Sequence, residues 1–193
     1  MPVKRFRTIK PEIRVLGIDD GKHVFRSKNQ VPIVGVVYKG GYWFEGLMST
    51  NVWVDGFDVT QKVANMIQVS PHYRQLRVIM LNGLTFAGFN VLDIEELYRE
   101  TKLPVIVITQ EKPDLDSIRS ALSNLDKAEE RFSMLLKAGE IVSLQNNGKK
   151  IFMQTAGLYC EDAQKIVALT STRSSIPEPL RVAHLIASGI SFL

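Results

Sequence analysis

The sequence has one cysteine in 193 residues and no hydrophobic run of the roughly 18 residues that a membrane span needs. Cys160 therefore has no partner for an internal disulfide, and the amino terminus lacks the apolar stretch of a secretory signal. These absences exclude a disulfide scaffold and a membrane-spanning protein. We expect a cytoplasmic protein.

Repeats, low-complexity tracts and long linkers are also absent. With 45% hydrophobic residues, the chain is long enough to bury one substantial core but short for two. We therefore expect one domain over residues 1–193.

The net charge of +4 is mildly positive, which favours an anionic partner without identifying it. Part of this excess is local, because Lys4, Arg5, Arg7, Lys10 and Arg14 lie close to a single acid, Glu12. The basic N-terminal segment, residues 1–11, either contacts phosphates or is a solvated tail.

Runs of β-branched and aliphatic residues predict a sheet. The expected strands are EIRVLGID, a hairpin of VPIVGVVYK and YWFEGLMSTNVWV around Gly40 and Gly41, the strands LRVIML and PVIVIT, and a second hairpin across Asn147 and Gly148. Helical spacing of apolar residues predicts helices between and after these strands. They cover residues 58–69, 91–100, 115–137, 160–170 and 174–190. The order indicates a three-layer α/β fold whose mixed sheet has antiparallel strands first and parallel strands after, with helices on both faces.

Two helix starts carry capping signals. Asp58 with Gln61 three residues later resembles a capping box, and Ser174 or Ser175 could cap the last helix with Pro177 in its first turn. Arg181 and His184 lie three residues apart in that last helix and therefore share a face. Such a pair lines a phosphate or metal site, or it is an ordinary solvated edge.

Acidic residues lie where strands end. Asp19 and Asp20 end the first strand, and Asp55 and Asp58 follow the third. Because neighbouring strand residues point to opposite faces, we expect only one of Asp19 and Asp20 to face a given site. Each acid alone has an ordinary structural role in a turn or a cap. Carboxylates gathered at one sheet edge repel unless a cation neutralises them, and Mg²⁺ or Mn²⁺ suits oxygen ligands.

Four aromatic residues lie on the predicted third strand: Tyr42, Trp43, Phe44 and Trp53. Aromatic side chains stack on bases in proteins that bind single strands. On a strand they also pack in the core or across strands. The sequence leaves both roles open.

The order and spacing of four stretches resemble an archaeal family of small proteins for which an endonuclease acting on deoxyuridine has been proposed. The stretches are RVLGIDDG, MLNGLTFAGFNVLDI, LPVIVIT and SSIPEPLRVAHLIASGI. That family is similar to endonuclease V, a repair nuclease with a ribonuclease H-like fold. The resemblance covers nearly the whole chain, and IPEPLRVAH is its most specific element. It implies a ribonuclease H-like arrangement of the predicted sheet and helices.

The resemblance also implies roles for individual residues. The family's first metal-binding aspartate corresponds to Asp19, and its second acid corresponds to Asp58 or Asp55, with the spacing to the fourth strand favouring Asp58. The histidine of the signature corresponds to His184. Glu178 and Arg181 belong to the same signature.

The sequence departs from the endonuclease V pattern at two places. Asn82, followed by Gly83, stands where that pattern has the third metal-binding aspartate. An amide still offers a carbonyl oxygen, but the missing charge weakens metal binding or removes a second ion. FEGLMSTNVW also lacks the proline- and tyrosine-containing wedge that fills the gap left by a flipped base.

Taken with the resemblance, these residues predict a metal-dependent endonuclease that cleaves DNA near a deaminated base, deoxyuridine in the leading interpretation. Mg²⁺ or Mn²⁺ would be held by Asp19, by Asp58 or Asp55, and by Asn82. The remaining predicted site residues are His184 for catalysis and Arg181, Lys22, Glu178 and Gly83 for contacts with phosphate or nucleic acid. The alternatives are a binding module that has lost catalysis, a nuclease for another lesion or for RNA, and a small-molecule phosphoesterase. A homodimer is a further hypothesis.

Overall fold

The computed structural model describes residues 3–24 and 27–191. Its strands are β1 (Arg14–Asp20), β2 (Gln30–Lys39), β3 (Trp43–Trp53), β4 (Val78–Asn82), β5 (Thr85–Phe86), β6 (Asn90–Val91), β7 (Val105–Thr109), β8 (Val142–Asn146) and β9 (Lys149–Ala156). Its helices are α1 (Val59–Gln68), α2 (Ile94–Thr101), α3 (Leu115–Leu122), α4 (Ala128–Lys137), α5 (Cys160–Thr170) and α6 (Glu178–Ile190), with a short 3-10 helix at Tyr73–Gln75.

Seven strands form one mixed sheet in the order β3-β2-β1-β4-β7-β9-β8. The pairs β1–β2 and β2–β3 are antiparallel, whereas β1–β4 and β4–β7 are parallel. The hairpin of β8 and β9 turns at Asn147 and Gly148, both with positive φ, and β9 pairs antiparallel with β7. This topology confirms the predicted order of antiparallel and parallel strands.

The side chains of the central strands alternate between two cores. Leu16 and Ile18 of β1 pack with α1 and α2 on one face of the sheet. Val15 of the same strand packs with α5 and with Leu180 of α6 on the other face. Because successive strand residues point to opposite faces, one strand contributes to both cores. The predicted three layers, with helices on both faces, are confirmed.

The predicted helix over residues 115–137 is wrong in its continuity, because the structure has two helices there. α3 ends at Leu122 and α4 begins at Ala128, after Lys127 adopts a positive φ of 55°. Leu122 and Leu135 pack in the same small core beside β6, so the two helices fold back on each other. The turn sequence between them contains Asn and Asp, which favour turns.

The predicted capping residues are also corrected. The side chain of Asp58 makes no capping bond, and the amide of Val59 donates instead to Oδ1 of Asn90 at 3.2 Å. Gln61 bonds to Asn65 rather than closing a capping box. α6 begins at Glu178 without a side-chain cap, so neither predicted serine caps it.

Two further boundaries differ. Val91, predicted as helical, pairs with Thr85 in a two-stranded sheet, and α2 begins three residues later. The basic N-terminal segment is anchored where it is described, because Lys4 donates its amide to the carbonyl of Gly157. The amide of Phe6 also donates to Asp162 at 2.9 Å. Residues 1 and 2 of that segment lie outside the described residues.

Gly17 allows α6 to approach β1 closely. A Cβ atom at this position would lie 2.3 Å from the carbonyl carbon of Pro179 and 2.7 Å from the amide nitrogen of Leu180. Those distances are far inside van der Waals contact, so only glycine fits here. The close approach brings the side chains of α6 to the end of β1.

We expect Gly17→Ala to destabilise the fold, because the new methyl group meets backbone that has to move. Overpacking of this kind costs on the order of 1 to 3 kcal/mol, which chemical denaturation would measure. Gly189→Ala in α6 is the matched control, since a Cβ there has no neighbour within 4 Å. That change should stabilise the exposed helix by up to about 1 kcal/mol. Equal stability of the two variants would contradict the close approach of β1 and α6.

Candidate active site

Asp19 lies at the end of β1, where the side chains of three elements meet. It is 2% exposed. The Nδ2 amide of Asn82, at the end of β4, donates to its Oδ2 at 3.0 Å, and the amide of Asp20 donates to its Oδ1 at 3.0 Å. Parallel pairing of β1 with β4 brings these two strand ends together. Asp19 and Asn82 are therefore in contact, as expected from the sequence.

His184 of α6 completes this contact. Its Nδ1 lies 2.8 Å from Oδ2 of Asp19, and its side chain is 60% exposed. An ionised carboxylate only accepts hydrogen bonds, so Nδ1 of the ring donates here. In the neutral ring Nε2 then carries a lone pair, and the ring can accept a proton there.

Both aspartates of β1 border one open cavity of about 480 Å³, which we call the acidic cleft. It is lined by Asp19, Asp20, Gly21, Lys22, His23, Asn82, His184 and Ser188. Asp19 bonds to His184 on the α6 side of the sheet, whereas Oδ2 of Asp20 accepts from the amide of Ala87 at 2.6 Å. The two carboxylates thus point to opposite faces of the sheet, as expected. The expectation that only one of them faces the site is wrong, because the cleft lies beyond the end of β1 and is open to both faces.

The two neighbouring carboxyl groups are hard to ionise together. Burial, and then the negative charge of Asp20, raise the pKa of Asp19 to about 6. Burial also raises the pKa of Asp20. A bound cation would relieve the repulsion between the two ionised carboxylates.

A second cavity, of about 320 Å³, adjoins the acidic cleft and shares Asn82 and His184 with it. We call it the basic cavity. Its lining residues are Asn82, Gln110, Lys149, Ser174, Ser175, Ile176, Leu180, Arg181 and His184. Buried Glu178 accepts from Nε and Nη2 of Arg181, at 3.0 and 2.7 Å from Oε2, and so orients its guanidinium group. Arg181 and His184 therefore do face one groove.

A third cavity, of about 450 Å³, begins at Gly83, the residue after Asn82. We call it the apolar cavity, because Leu84, Val107, Ile118 and Leu135 are among its lining residues. Thr85, Thr109 and Gln154 contribute polar groups to it. It lies beyond the ends of β4 and β7, and the acidic cleft lies at the same end of the parallel strands.

Asp55 and Asp58 do not line the acidic cleft among the residues that the structure describes. Oδ1 of Asp55 accepts from the amide of Phe89 at 2.8 Å, two residues from the amide that Asp20 binds. Oδ1 of Asp58 accepts from Asn90 at 2.7 Å. The structure therefore does not bring either acid into contact with Asp19, and their roles stay predictions.

Buried Arg131 fixes the loops that carry these acids. Its guanidinium donates to the backbone carbonyls of Asp55, Gly56 and Phe89. It also lies 3.8 Å from the ring centre of Phe57. Sequence reasoning missed this residue, because nothing distinguishes it from the exposed charges around it in α4.

The sequence also failed to single out His23, Gln110 and Lys149 as cavity residues. His23 had a usable signal, because it follows the turn directly after the first strand. Lys149 had none, since its cavity forms only when β9 lies near α6. Of the four aromatics of the β2–β3 hairpin, only Trp53 lies toward the site end of the sheet, and all four are exposed.

The residues present fit a hard divalent cation. Asp19 and Asp20 offer carboxylate oxygens and Asn82 offers a carbonyl oxygen, and Mg²⁺ is commonly held by one or two carboxylates with the remaining positions left to water and substrate phosphate. Oδ2 of Asp58 is buried and has no hydrogen-bond partner among the described residues, which also suits a cation. No cluster of three or more acidic, histidine or cysteine ligands occurs within residues 3–24 and 27–191. Because Asn82 is neutral, Asp19 and Asp20 supply the negative charge of the donor set in the acidic cleft.

Comparisons with known proteins agree with this fold. A family model described as Endonuclease dU matches residues 11–191. A UPF0215 protein of Methanosarcina mazei is 53% identical over 185 residues, covering 95% of this chain and 93% of the relative. A crystal structure of a protein from Archaeoglobus fulgidus is 39% identical with a TM-score of 0.84, covering 92% of this chain and 98% of the other. Endonuclease V of Ciona intestinalis, solved with a 24mer DNA containing inosine followed by a ribo-adenosine, is 18% identical with a TM-score of 0.58, covering 89% of this chain and 82% of the other. The fold is thus that of the endonuclease V group.

Among the described residues, no helix is both long and apolar enough to span a membrane.

Proposed function

Because the chain belongs to the endonuclease dU family, we propose that it is a metal-dependent endonuclease that hydrolyses a phosphodiester bond of DNA near a deaminated base, with deoxyuridine as the base. Family membership supports the nuclease activity. The observation that carries the proposal is the buried carboxylate of Asp19, which contacts His184 between an acidic cleft and a basic cavity. Hydrolysis of a phosphodiester needs both environments. Positive groups neutralise the charge of the phosphate, and the acidic residues hold the metal ion and support activation of the attacking water.

Asp19, Asp20 and Asn82 would hold the metal ion, and the orphaned oxygen of Asp58 makes it the first candidate for a further ligand. When bound, a Mg²⁺ or Mn²⁺ ion supplies Lewis-acid polarisation of the phosphate and lowers the pKa of a bound water. The carboxylates supply the negative charge that attracts it. Asn82 supplies a neutral oxygen, so affinity is set mainly by Asp19 and Asp20.

His184 acts as the proton acceptor of the proposed site. Asp19 accepts the Nδ1 proton, which holds the ring in one orientation and leaves Nε2 as the basic nitrogen. Nε2 takes the proton of the attacking water or, when the ring is charged, returns one to the leaving oxygen. A positioned acid-base group of this kind contributes on the order of 10²- to 10⁴-fold to the rate.

Arg181 and Lys149 bind substrate phosphate in the basic cavity. Glu178 already occupies the N–H of Nε and one N–H of Nη2 of Arg181, so Nη1 and the second N–H of Nη2 are the donors that a phosphate would meet. Lys22 borders the acidic cleft and adds a positive charge there. The scissile strand would therefore cross the boundary formed by Asn82 and His184.

A deaminated base would leave the stack and enter the apolar cavity next to Gly83. Extrusion costs a few kcal/mol and is easiest at a mispair, so a uracil opposite guanine leaves the duplex more readily than a paired thymine. Thr85, Thr109 and Gln154 offer groups for the polar edge of a pyrimidine. FEGLMSTNVW has no proline- and tyrosine-containing wedge to fill the gap left by the base, so local opening of the pair carries more of the selection.

A non-catalytic nucleic-acid-binding module is the second candidate, and Asn82 is the observation that favours it. The neutral amide reduces the charge available to a metal ion and already donates to Asp19. Such a module would bind DNA with or without a divalent ion.

The test is a panel of end-labelled oligonucleotides incubated with Mn²⁺ or with chelator. The panel contains uracil, hypoxanthine or an abasic site in DNA, the undamaged sequence with thymine as the matched control, and an RNA version. We expect cleavage near uracil with Mn²⁺ and none with chelator. Binding without cleavage in every condition would contradict the nuclease and favour the binding module. Free nucleotides are offered beside the oligonucleotides, and cleavage of the nucleotides alone would favour a phosphoesterase.

A further inference from the structure

β3 forms one edge of the seven-stranded sheet and carries a large exposed apolar surface. It is 11 residues long and pairs only with β2 among the described strands. Tyr42, Trp43, Phe44, Leu47 and Trp53 of this hairpin are exposed by 49% to 76%. We call these five side chains the β3 surface.

Phe44, Leu47 and Trp53 continue the face of the sheet that α6 covers, whereas Trp43 lies on the opposite face and Tyr42 lies in the turn before β3. Phe44 pairs with Tyr38 and Leu47 pairs with Val36, and both β2 residues pack against Ala183 and Ala187 of α6. α6 contacts β1 and β2 most closely, so Phe44 and Leu47 lie beyond the helix. The sheet therefore presents an apolar flank next to an unpaired backbone edge.

The charge of β3 disfavours a nucleic acid as its occupant. Proteins that bind single strands combine aromatic side chains with a positively charged groove. Residues 43–53 contain no Lys or Arg, and their one charged residue, Glu45, accepts from Nε of Arg14 at 2.6 Å. Tyr42, Trp43 and Phe44 also lie at the opposite end of β1 from Asp19, because Trp43 pairs with Lys39 and Lys39 pairs with Arg14.

The same features fit a second copy of β3. Soluble proteins usually protect an edge strand with lysine, proline, a bulge or a short length. β3 is 11 residues long and has no lysine or proline, and its one register shift, at residues 44–46, leaves residues 46–53 regularly paired with β2. Large aromatic side chains bury about 150 to 250 Å² each, so the exposed parts of the five residues offer roughly 600 Å² per copy. A standard interface buries about 800 Å² per partner, and the backbone edge supplies the remainder.

We propose that two copies of this chain pair through β3, edge to edge and antiparallel about a two-fold axis, so that their sheets become continuous. Antiparallel pairing of identical strands is self-complementary, since each residue meets the same partner in both copies. The unpaired N–H and C=O groups of each edge then bond across the axis. The exposed apolar side chains then pack across the axis, with Phe44, Leu47 and Trp53 on the α6 side of the joined sheet and Trp43 on the other.

The test compares molar masses in solution by sedimentation or light scattering. Leu47→Lys places a charge within the proposed interface, whereas Leu136→Lys in α4 is a matched control because both leucines are 53% exposed. Wild type and the control are expected to have twice the chain mass of 21.7 kDa. Leu47→Lys is expected to be monomeric, with dimer affinity weakened at least about 100-fold, since a buried unpaired charge is costly.

A monomeric wild type would overturn the proposal, and so would a Leu47→Lys protein that dimerises as well as the control. If Leu47→Lys fails to fold, amide hydrogen exchange of the wild type decides. Protection of residues 44–52 that rises with protein concentration supports the pairing, and protection independent of concentration contradicts it. A monomer whose tryptophan fluorescence is quenched by single-stranded DNA would assign the β3 surface to base stacking instead.

Discussion

Asp19→Asn is expected to lower cleavage at least about 100-fold while leaving the metal-free protein no less stable than wild type at pH 7. Oδ2 of Asp19 contacts both Asn82 and His184. The substitution removes the negative charge that would hold a metal ion and stabilise a protonated His184. An asparagine still offers an oxygen to the amide of Asn82, so the fold keeps that contact.

The stability of the variant follows from the sign of the pKa shift. The pKa of Asp19 is about 6 in the folded protein against 3.8 for an unperturbed group, mainly because of burial and then because of Asp20. The folded state therefore binds this proton more tightly than the unfolded state, and stability declines as pH rises from about 4 to about 6. The full shift of about two pKa units corresponds to roughly 3 kcal/mol, an upper value because Asp20 shares the titration.

Denaturant unfolding at pH 4 and pH 7, without divalent ions, measures this effect. Wild type should lose on the order of 1 to 3 kcal/mol between these pH values, and Asp19→Asn should lose less. Asp116→Asn, an exposed position in the first turn of α3, is the control for a charge change away from the site. Unchanged cleavage by Asp19→Asn would exclude Asp19 from catalysis. An equal pH dependence in both proteins would contradict the burial argument.

Asn82→Asp is expected to shift the Mg²⁺ dependence of cleavage to lower concentration and to weaken the metal-free fold. Nδ2 of Asn82 now donates to Asp19 at 3.0 Å, and the substitution replaces that donor with a carboxylate of almost equal volume. Two carboxylates at this distance, with Asp20 beside them, repel unless a proton or a cation lies between them. The loss of a hydrogen bond between partly buried groups adds on the order of 1 kcal/mol.

Thermal melts with and without Mg²⁺ separate these effects. Metal-free Asn82→Asp should melt below wild type, and added Mg²⁺ should raise its melting temperature more, because a ligand stabilises the state that binds it. Asn124→Asp, in the exposed turn between α3 and α4, is the matched control for the same chemical change outside the cleft. If melts and metal dependence both stay as in wild type, Asn82 is not a metal ligand.

Much of the fold could be predicted because local patterns and long-range pairing agree. The alternating apolar residues of β1 and β4 feed two cores, and the Asn147-Gly148 turn fixes a hairpin by its backbone angles. The single helix predicted over residues 115–137 was wrong because its charged residues fit one helix or two equally well. Only the packing of Leu122 on Leu135 decides between them.

The candidate site was predictable where strand ends meet and unpredictable where loops decide. Asp19, Asn82 and His184 come together because β1 pairs with β4 and because Gly17 lets α6 approach. Asp55 and Asp58 follow a strand end in the sequence, but their carboxylates accept hydrogen bonds from the loop at Phe89 and Asn90. Spacing along the chain favoured Asp58 as the second metal-binding acid. Spacing alone, however, does not specify which amide of a loop donates to a carboxylate.

The most direct measurement of the central claim is an anomalous difference map from crystals soaked in Mn²⁺. A metal-dependent nuclease site at the end of β1 predicts a peak within about 2.0 to 2.3 Å of a carboxylate oxygen of Asp19, and no peak there in Asp19→Asn crystals. Mn²⁺ bound only away from Asp19, in crystals of a protein whose DNA cleavage requires Mn²⁺, would contradict the account.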